Sequence, residues 1–269
     1  MSQGYIQEIF SSFQGEGAAI EGSCYGLRQI FVRFSGCPLA LGIHGTRGCI
    51  WCDSPRAKTT EQKRCSIETK AGGKEFREIN NPISPEEATT IIQDLTTADL
   101  HSISLTGGEP LYQPKFLEDF ISQLKEKKYV VFLETAFTND FAFLEKIAPM
   151  IDFASVDLKD RSAKASVDWN QLIEEESKML KILKNSGTKV FAKTVITKAS
   201  KKEDFELIIK KCSENDVPIA IQIVTPIKGT TIAQPTWDQI KEFSELAGNY
   251  LPPEKIGVSV QMHKSIDIL

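Results

Sequence analysis

Strand-like and helix-like segments alternate along most of this 269-residue chain, and this alternation is the feature that most restricts its fold. Six short runs of apolar, β-branched and aromatic residues have the length of strands. They lie at 31–34, 102–106, 129–134, 152–158, 189–196 and 219–224. Helical patterns separate them, such as the one-face spacing of Leu117, Phe120, Ile121 and Leu124 and that of Phe205, Ile208, Ile209 and Cys212. Ser84 and Glu87 form a capping-box pattern, which predicts a helix that begins there and runs towards Leu95.

This order of segments predicts an α/β fold with a parallel sheet, because strands joined by a helix run in the same direction. The periodicity fits a partial barrel of six strand–helix units and equally a doubly wound open sheet. In both folds, ligands bind at the carboxyl ends of the strands. We expect a single domain over residues 1–269. Residues 55–83 interrupt the pattern, since they are polar and lysine-rich, and they predict a loop or small hairpin over the mouth of the site.

The composition indicates the kind of partner and the compartment. A formal charge of −4 argues against an extended nucleic-acid surface and favours a small-molecule substrate. The chain has no run of eighteen apolar residues, and its first residues lack the pattern of a signal peptide, so we expect a soluble cytoplasmic protein with no membrane partner. In a reducing cytoplasm, cysteines are better explained as metal ligands and buried thiols than as disulfides. Cys24, Cys65 and Cys212 have no C-x-x-C partner and are predicted to be structural.

Three other cysteines, Cys37, Cys49 and Cys52, lie close together, and the last two have C-x-x-C spacing. A closed structural metal site needs four protein ligands, whereas three thiolates on a four-iron cluster leave one iron open to bind a substrate or cofactor. A zinc site completed by His44, which lies in the same loop, is an alternative. A third possibility is that these cysteines are buried small side chains. The cysteines alone do not decide between these possibilities.

A second motif follows a predicted strand and reads Thr106-Gly107-Gly108-Glu109-Pro110. Two glycines at the end of a buried strand allow the backbone to approach a ligand closely and to offer it hydrogen-bonding groups. The same residues also suit an ordinary turn at the end of a strand.

Taken together, the three-cysteine loop and the strand that ends in Gly-Gly-Glu resemble the radical S-adenosylmethionine (SAM) enzymes. Three further runs narrow the resemblance to the 7-carboxy-7-deazaguanine synthase family. They are EIFSSFQGEG at 8–17, FVRFSGC at 31–37 and the C-terminal QMHKSIDIL at 261–269. Because the matches fall at the start, in the middle and at the end, the resemblance spans the whole chain.

The resemblance implies a fold, a reaction and cofactors. The fold is a partial (βα)6 TIM-like barrel with extra N-terminal and C-terminal segments. The cofactors are a [4Fe-4S] cluster on the three cysteines, SAM and Mg²⁺. The reaction converts 6-carboxy-5,6,7,8-tetrahydropterin to 7-carboxy-7-deazaguanine with loss of ammonia, in the biosynthesis of deazapurines such as queuosine and archaeosine. An electron donor such as flavodoxin or ferredoxin and a homodimer are also implied.

The resemblance also implies the residues that bind SAM, and they lie in the cluster loop or at the ends of predicted strands. They are Trp51, Cys52 and Asp53; Gly107, Gly108 and Glu109; Asp157, Leu158 and Lys159; and Gln222, Ile223, Val224 and Thr225. A carboxylate at Asp157 and an ammonium at Lys159 suit ribose hydroxyls and the methionine carboxylate. Trp51 has an alternative as a core aromatic. For the last two groups, surface or salt-bridge roles remain open.

The substrate-binding residues implied by the resemblance come mainly from the two ends of the chain. They are Phe13, Gln14, Gly15, Glu16, Arg33, Thr106, His263 and Leu269. The Glu16 carboxylate is able to accept two N–H bonds from an aminopyrimidinone, and a guanidinium such as that of Arg33 pairs bidentately with a substrate carboxylate. Without the resemblance, the QGEG run is a polar turn, Arg33 forms a strand-end ion pair, His263 is a surface histidine and the C-terminus is a solvated tail.

The chain departs from the family pattern at four places. Ser54 stands where the family has a threonine that reaches Mg²⁺, but it keeps a hydroxyl, and Mg²⁺ takes oxygen ligands. The loop between the first two cluster cysteines is long, Ala136-Phe137 replace part of an ETNG-like run, and residues 14–33 are a few residues longer than usual. Two rival functions remain open. One is a glycyl-radical activating enzyme, which the SVDLK run resembles, and the other is a zinc-stabilised α/β binding module.

Overall fold

A computed structural model of the protein describes residues 2–226 and 230–265. Within these residues the chain forms ten strands and seven α-helices. The strands are β1 (Ile6–Phe13), β2 (Arg28–Phe34), β3 (Arg64–Glu68), β4 (Phe76–Asn80), β5 (Leu100–Gly107), β6 (Val131–Thr135), β7 (Phe153–Asp157), β8 (Lys189–Ile196), β9 (Ile219–Ile223) and β10 (Ile256–Ser259). The helices are α1 (Pro85–Leu95), α2 (Pro114–Glu126), α3 (Phe141–Ile147), α4 (Trp169–Asn185), α5 (Lys202–Glu214), α6 (Trp237–Ala247) and α7 (Met262–Ser265).

Six strand–helix units form the centre of the fold, as the sequence predicts. The strands of these units are β2, β5, β6, β7, β8 and β9, and they pair in parallel in the order in which they occur in the chain. A doubly wound sheet reverses its strand order at a switch point, whereas this order never reverses. The sheet therefore has the strand order of a partial barrel, and β10 and β4 are its two edges.

Three additions flank the parallel strands. Strand β1 pairs antiparallel with β2, and β3 and β4 form an antiparallel hairpin whose β3 lies parallel to β1. Strand β10 extends the opposite edge beside β9. The hairpin lies within residues 55–83 and is one of the two structures predicted there.

The sequence pattern did not identify β1 and β10. Strand β1 is buried on both faces, including its polar residues Gln7, Ser11 and Ser12, so its sequence lacks both the apolar run and the clean alternation that mark a strand. Strand β10 has only four residues and is half exposed. Both strands are recognised only once their neighbours in the sheet are known.

The helices form a layer over one face of the sheet in chain order, with α1 packed on α2, α3 on α4, α4 on α5 and α5 on α6. The apolar stripes predicted for α2 and α5 are fully buried in this layer. Burial of such stripes is the main favourable term in folding. On the other face, Ala18 and Ile20 of the N-terminal loop pack against Phe132, Phe191 and Ala220. The N-terminal loop thus covers the inner face of the sheet below the carboxyl ends of the strands.

A local sequence signal marks the start of α1. Helix α1 begins with the predicted capping box, in which the Ser84 side chain accepts from Glu87 N and the Glu87 side chain accepts from Ser84 N. Of the three cysteines predicted to be structural, Cys65 and Cys212 are buried in β3 and α5, whereas Cys24 is half-buried in the loop between β1 and β2. Among the described residues, none of the helices is long and apolar enough to cross a membrane.

Candidate active site

A cavity of about 770 Å³ opens at the carboxyl ends of the parallel strands. Neighbouring strands place its lining residues side by side, since Arg33 of β2 is in register with Thr106 of β5, and Asp157 of β7 with Lys193 of β8. Glu134 near the end of β6 also lines the cavity. Side chains in register on adjacent strands lie on the same face of a sheet. Residues far apart in the sequence therefore meet in one cavity.

The three cysteines of the predicted cluster line this cavity. Cys37, Cys49 and Trp51 pack against a small apolar cluster that includes Leu39 and Phe137. Burial raises the pKa of Cys49 to about 11 and also raises the pKa of Cys37. A thiolate at these positions therefore requires a nearby cation such as a bound metal.

His44 does not join the cysteines. Its Nδ1 lies 3.2 Å from Ser166 Oγ, its Nε2 lies 3.0 Å from Glu175 Oε2, and its ring packs edge-on against Phe137. Within residues 2–226 and 230–265, no three His, Cys, Asp or Glu side chains converge on a point that would hold a single metal ion. This arrangement argues against the zinc site. An iron–sulfur cluster has its thiolates on different irons, so its ligands surround a volume and need not converge on one point.

The two glycines of the second motif lie where two stretches of backbone almost touch. A Cβ atom on Gly108 would lie 2.1 Å from Gly36 O and 2.6 Å from Ala57 O. Gly107 has a φ of +107°, which L side chains rarely adopt. Gly36 directly precedes Cys37. The absence of side chains therefore allows the end of β5 to lie against the cysteine loop, in addition to any close approach to a ligand.

The Glu109 side chain is buried and is not part of the cavity lining. Its carboxylate accepts hydrogen bonds from Leu111 N (3.1 Å), Thr135 Oγ1 (2.8 Å), Ala136 N (2.9 Å) and Phe137 N (3.1 Å). Burial raises the pKa of Glu109 to about 7. Through these hydrogen bonds, the carboxylate connects the end of β5 to residues 135–137. This is the segment in which Ala136-Phe137 depart from the family's ETNG-like run.

A buried ion pair follows β7. Lys159 Nζ lies 2.6 Å from Asp157 Oδ2, and the Lys159 backbone N–H donates to Glu176 Oε2 at 3.0 Å. Burial lowers the pKa of Lys159, but Asp157 and the other acidic groups outweigh burial and raise it, so the ammonium is retained. Leu158 is fully buried and is not part of the lining, and its N–H donates to Lys193 O at 2.8 Å.

Glu16 of the QGEG run lies in the same cavity and contacts β8, β9 and the segment between β10 and α7. Its Oε2 lies 2.5 Å from Lys193 Nζ, and its Oε1 accepts from Gln261 Nε2 (2.7 Å) and Gln222 Nε2 (3.2 Å). Gln14 accepts from Glu16 N at 3.1 Å. The QGEG run is therefore not a free polar turn, because its carboxylate is held by residues more than 170 positions further along the chain.

Arg33 lies between two acceptors at the end of β2. Its Nε lies 2.6 Å from Glu8 Oε1, and its Nη1 donates to Ser54 Oγ at 2.8 Å. The Ser54 hydroxyl donates to Asp53 Oδ1 at 3.1 Å, and Asp53 Oδ2 accepts from Gln261 Nε2 at 3.0 Å. The ion pair with Glu8 is the alternative that the sequence left open for Arg33. The Ser54 contact also places Arg33 beside the loop that follows Cys52.

Most of the residues predicted for the site line the cavity. They are Cys37, Cys49, Cys52, Trp51, Asp53, Ser54, Gly107, Gly108, Asp157, Lys159, Gln222, Val224, Thr225, Phe13, Gln14, Gly15, Glu16, Arg33 and Thr106. Glu109, Leu158 and Ile223 do not line it. Ile223 is the last residue of β9 and lies between Gln222 and Val224, so its side chain lies on the other face. The side chain of His263 and the whole of Leu269 lie outside the described residues.

The sequence prediction missed eight polar residues of the cavity, namely Glu8, Lys58, Glu134, Thr135, Ser155, Lys193, Gln261 and Lys264. Glu134 accepts from Gln14 Nε2 (2.9 Å) and Thr106 Oγ1 (3.1 Å), and burial, followed by the charge of Glu16, raises its pKa. A charged residue within an apolar strand was the available signal, because buried charges are almost always paired. Glu134 and Lys193 both carry this signal.

Comparisons with known proteins agree with this geometry. The family model described as the Radical SAM superfamily matches residues 35–224. A Thermococcus kodakarensis protein named 7-carboxy-7-deazaguanine synthase is 38% identical over 267 residues, which cover 98% of this chain and 98% of that protein. A Methanocaldococcus jannaschii protein of the same name is 33% identical over 268 residues, which cover 98% and 100%.

Solved structures show the same fold at low sequence identity. The crystal structure of a radical SAM methyltransferase from Sphaerobacter thermophilus matches with a TM-score of 0.58 and 14% identity, over 87% of this chain and 70% of that chain. At this identity the likeness concerns the fold alone, and it supports the radical SAM type of partial barrel.

Proposed function

Because the chain belongs to the radical SAM superfamily and, within it, to the 7-carboxy-7-deazaguanine synthase family, we propose that its cavity converts 6-carboxy-5,6,7,8-tetrahydropterin to 7-carboxy-7-deazaguanine with loss of ammonia. One observation carries the proposal. The three cysteines, the Gly-Gly strand end and the QGEG run are distant in the sequence but line a single cavity. A reaction that uses a cluster, SAM and a pterin together needs these three elements in one place.

The residues of the cavity fit the two cofactors. Cys37, Cys49 and Cys52 would hold a [4Fe-4S] cluster, with no fourth protein ligand required. When bound, the cluster and SAM would supply the one-electron radical chemistry of the reaction. Among the described residues, the buried atoms Asp157 Oδ1 and Gln222 Oε1 have no hydrogen-bond partner, and such acceptors suit the hydroxyl and amino groups of SAM.

The other SAM contacts that we propose come from backbone and from neighbouring side chains. Trp51 would pack against the adenine, Gly107, Gly108 and Glu109 would offer backbone groups, and Lys159 would pair with the methionine carboxylate. Val224 and Thr225, which line the cavity, would add contacts at the strand ends, and Leu158 and Ile223, which do not line it, would contribute only through their backbone. Lys159 is suited to its role because it stays cationic in a buried position.

We assign the pterin to the side of the cavity formed by the N-terminal segment. The Glu16 carboxylate would accept N–H bonds from the aminopyrimidinone edge, with Phe13, Gln14 and Gly15 beside it. Arg33 and Thr106 are in register on adjacent strands and would bind the substrate carboxylate. His263 and Leu269 would complete this side. Met262, which directly precedes His263, donates its N–H to Gly15 O at 3.0 Å, which supports the approach of this segment to the QGEG run.

Apolar and hairpin residues would keep water from the reacting groups. Phe10, Phe13 and Phe31 line the cavity, as do Pro55, Lys58 and Phe76 of residues 55–83. A water-poor cavity protects a radical from side reactions and strengthens electrostatic contacts with the substrate. This position supports the role proposed for residues 55–83 near the mouth of the site.

We propose Ser54 as the protein ligand of a Mg²⁺ ion that also contacts the substrate. Mg²⁺ takes oxygen ligands and keeps several waters, so one serine hydroxyl with Asp53 nearby is sufficient. The guanidinium of Arg33, now 2.8 Å from Ser54 Oγ, would have to turn towards the substrate carboxylate for the cation to bind. Ser54→Ala should therefore weaken the dependence of turnover on Mg²⁺.

Three finer points also belong to the proposal. An electron donor such as flavodoxin or ferredoxin would reduce the cluster, the enzyme would act as a homodimer in the cytoplasm, and its product would enter deazapurine biosynthesis leading to queuosine or archaeosine. Sedimentation of the reconstituted protein tests the dimer. Reduction by each purified donor tests the partner.

The reaction itself is tested with purified protein reconstituted with iron and sulfide under anaerobic conditions. We expect a brown protein that, with SAM, Mg²⁺ and dithionite, converts 6-carboxytetrahydropterin to 7-carboxy-7-deazaguanine, detected by mass spectrometry together with ammonia. A colourless zinc protein would contradict the cluster. Production of 5′-deoxyadenosine with unchanged pterin would contradict the substrate and would favour a radical enzyme of another kind.

A further inference from the structure

Lys193 lies in the middle of strand β8 and contacts two carboxylates that belong to different parts of the cavity. Its Nζ lies 2.5 Å from Glu16 Oε2 and 3.5 Å from Asp157 Oδ2. The side chains of all three residues are less than one-sixth exposed, at 12%, 14% and 15%. Glu16 comes from the N-terminal segment and Asp157 from the end of β7. Lys193 is therefore the cation shared by the two sides of the site.

The charges around Lys193 favour its ammonium form. Burial lowers the pKa of Lys193, but Glu16, Asp157 and Glu134 together outweigh burial and the repulsion by Lys159, and the pKa is raised. A buried charge without a partner is costly, so each member of this group depends on the others. Without Lys193, Glu16 and Glu134 would repel each other without the ammonium that now lies 2.5 Å from Glu16 Oε2.

The sheet holds Lys193 in this position. Asp157 and Lys193 are in register on β7 and β8, and Leu158 N donates to Lys193 O at 2.8 Å. Glu16 is attached less directly, through side-chain contacts with Gln261 and Gln222. The Lys193–Asp157 arrangement is thus part of the sheet, whereas the Glu16 contact joins the sheet to the N-terminal segment.

We propose that Lys193 is a positioning residue that couples the binding of the pterin to the binding of SAM. This inference rests on the function proposed above, in which Glu16 contacts the pterin and Asp157 contacts SAM. N–H groups of the pterin that bind Glu16 compete with the Lys193 ammonium for the same carboxylate. The ammonium then interacts more strongly with Asp157 and fixes that carboxylate in the orientation that receives SAM.

The coupling is reciprocal, because two ligands linked through one protein must affect each other's affinity equally. A saturated pterin site raises the affinity for SAM, and bound SAM raises the affinity for the pterin. As a consequence, the enzyme binds SAM more tightly when the pterin is bound than when it is absent. Cleavage of SAM without substrate is thereby limited.

The test measures SAM binding by calorimetry to the reconstituted enzyme with its cluster oxidised and no reductant, so that no turnover occurs. In the wild type we expect saturating 6-carboxytetrahydropterin to tighten SAM binding at least about fivefold, which is the lower end of typical coupling. In Lys193→Met this factor should fall to about one, which is the absence of coupling. Lys189→Met, an exposed lysine at the start of the same strand, is the matched control and should keep the wild-type factor.

A second variant decides the question if Lys193→Met does not fold. Glu16→Gln removes the other charge of the pair with little change in shape, and at saturating pterin it should also abolish the coupling. Wild-type coupling in either folded variant, or no coupling in the wild type, would overturn the inference. Turnover with dithionite is measured on the same wild-type preparation. If that preparation forms product, an absence of coupling refutes only the role of Lys193, whereas a lack of product refutes the proposed function.

Discussion

Replacing Gly108 with alanine should separate the end of β5 from the cysteine loop. The new Cβ would lie 2.1 Å from Gly36 O, and an ordinary contact begins at 3.4 Å, so Gly36 O would have to move by 3.4 − 2.1 = 1.3 Å. The φ of Gly108 is not in the left-handed region, in contrast to the φ of Gly107. The effect of the substitution is therefore steric, and it acts on the residue that directly precedes Cys37.

The magnitude follows from the contacts that would be disturbed. Overpacking of a close contact costs about 1–3 kcal/mol. Two backbone hydrogen bonds, Gly36 N to Ala57 O (2.7 Å) and Gly108 N to Phe34 O (2.9 Å), hold this junction, and the loss of each costs about 1 kcal/mol. The free energy of unfolding should fall by about 3–5 kcal/mol in total. For a chain of this size, that corresponds to a melting temperature lower by roughly 10 °C.

Thermal unfolding followed by circular dichroism on the metal-free protein measures this change, and iron content after reconstitution measures the effect on the cysteine loop. Gly248→Ala is the control, because Gly248 has a φ of −62° at the end of α6 and a Cβ there would meet its nearest atom, Glu245 O, at 3.3 Å. A Gly108→Ala protein that melts with the wild type and binds a full cluster would refute the steric argument.

Four further predictions test the site. Cys49→Ala should abolish formation of 5′-deoxyadenosine, while Cys65→Ala, in β3, should retain it; chromatography of the reaction mixture measures both. Arg33→Ala should weaken pterin binding by about 2 kcal/mol, or roughly thirtyfold by calorimetry, and leave slow uncoupled cleavage of SAM; unchanged affinity would contradict the assignment. A tag after Leu269 should raise the KM for the pterin without altering the cluster spectrum, whereas an N-terminal tag should not; equal KM values would show that the C-terminus has no such role. His44→Ala should remove the contacts of His44 with Ser166 and Glu175, loosen the cysteine loop and lower the iron bound on reconstitution, and full iron content in this variant would contradict that expectation.

Much of the fold was predictable because its signals are local. Apolar runs of strand length, the apolar stripes of α2 and α5, and the capping box at Ser84 each depend on a few neighbouring residues. The order of the strands in the sheet, in contrast, was not predictable from local signals. The periodicity is the same in a partial barrel and in a doubly wound sheet, and only the pairing of β2, β5, β6, β7, β8 and β9 in chain order distinguished them.

The chemistry of the site was partly predictable for a related reason. Cysteine spacing, the Gly-Gly strand end and the QGEG run are short motifs whose residue types reflect the groups that they bind. The sequence identified these groups one by one. It did not indicate that the Glu109 carboxylate would accept hydrogen bonds from Thr135, Ala136 and Phe137. It also did not indicate that Gly108 would be required because the protein's own backbone packs against it.

The sequence by itself thus determined the class of fold, the cysteine motif and the family. Only the tertiary structure decided which charges share the cavity, since Glu16 and Lys193 are 177 positions apart and meet because strand register and the folding back of the N-terminal segment bring them together. A local sequence pattern does not indicate which distant residue a charged side chain will contact. The physical reason is that a buried ion pair is specified by the packing of the whole sheet: the apolar strand around Lys193 indicates a buried charge, but it does not indicate which carboxylate pairs with that charge.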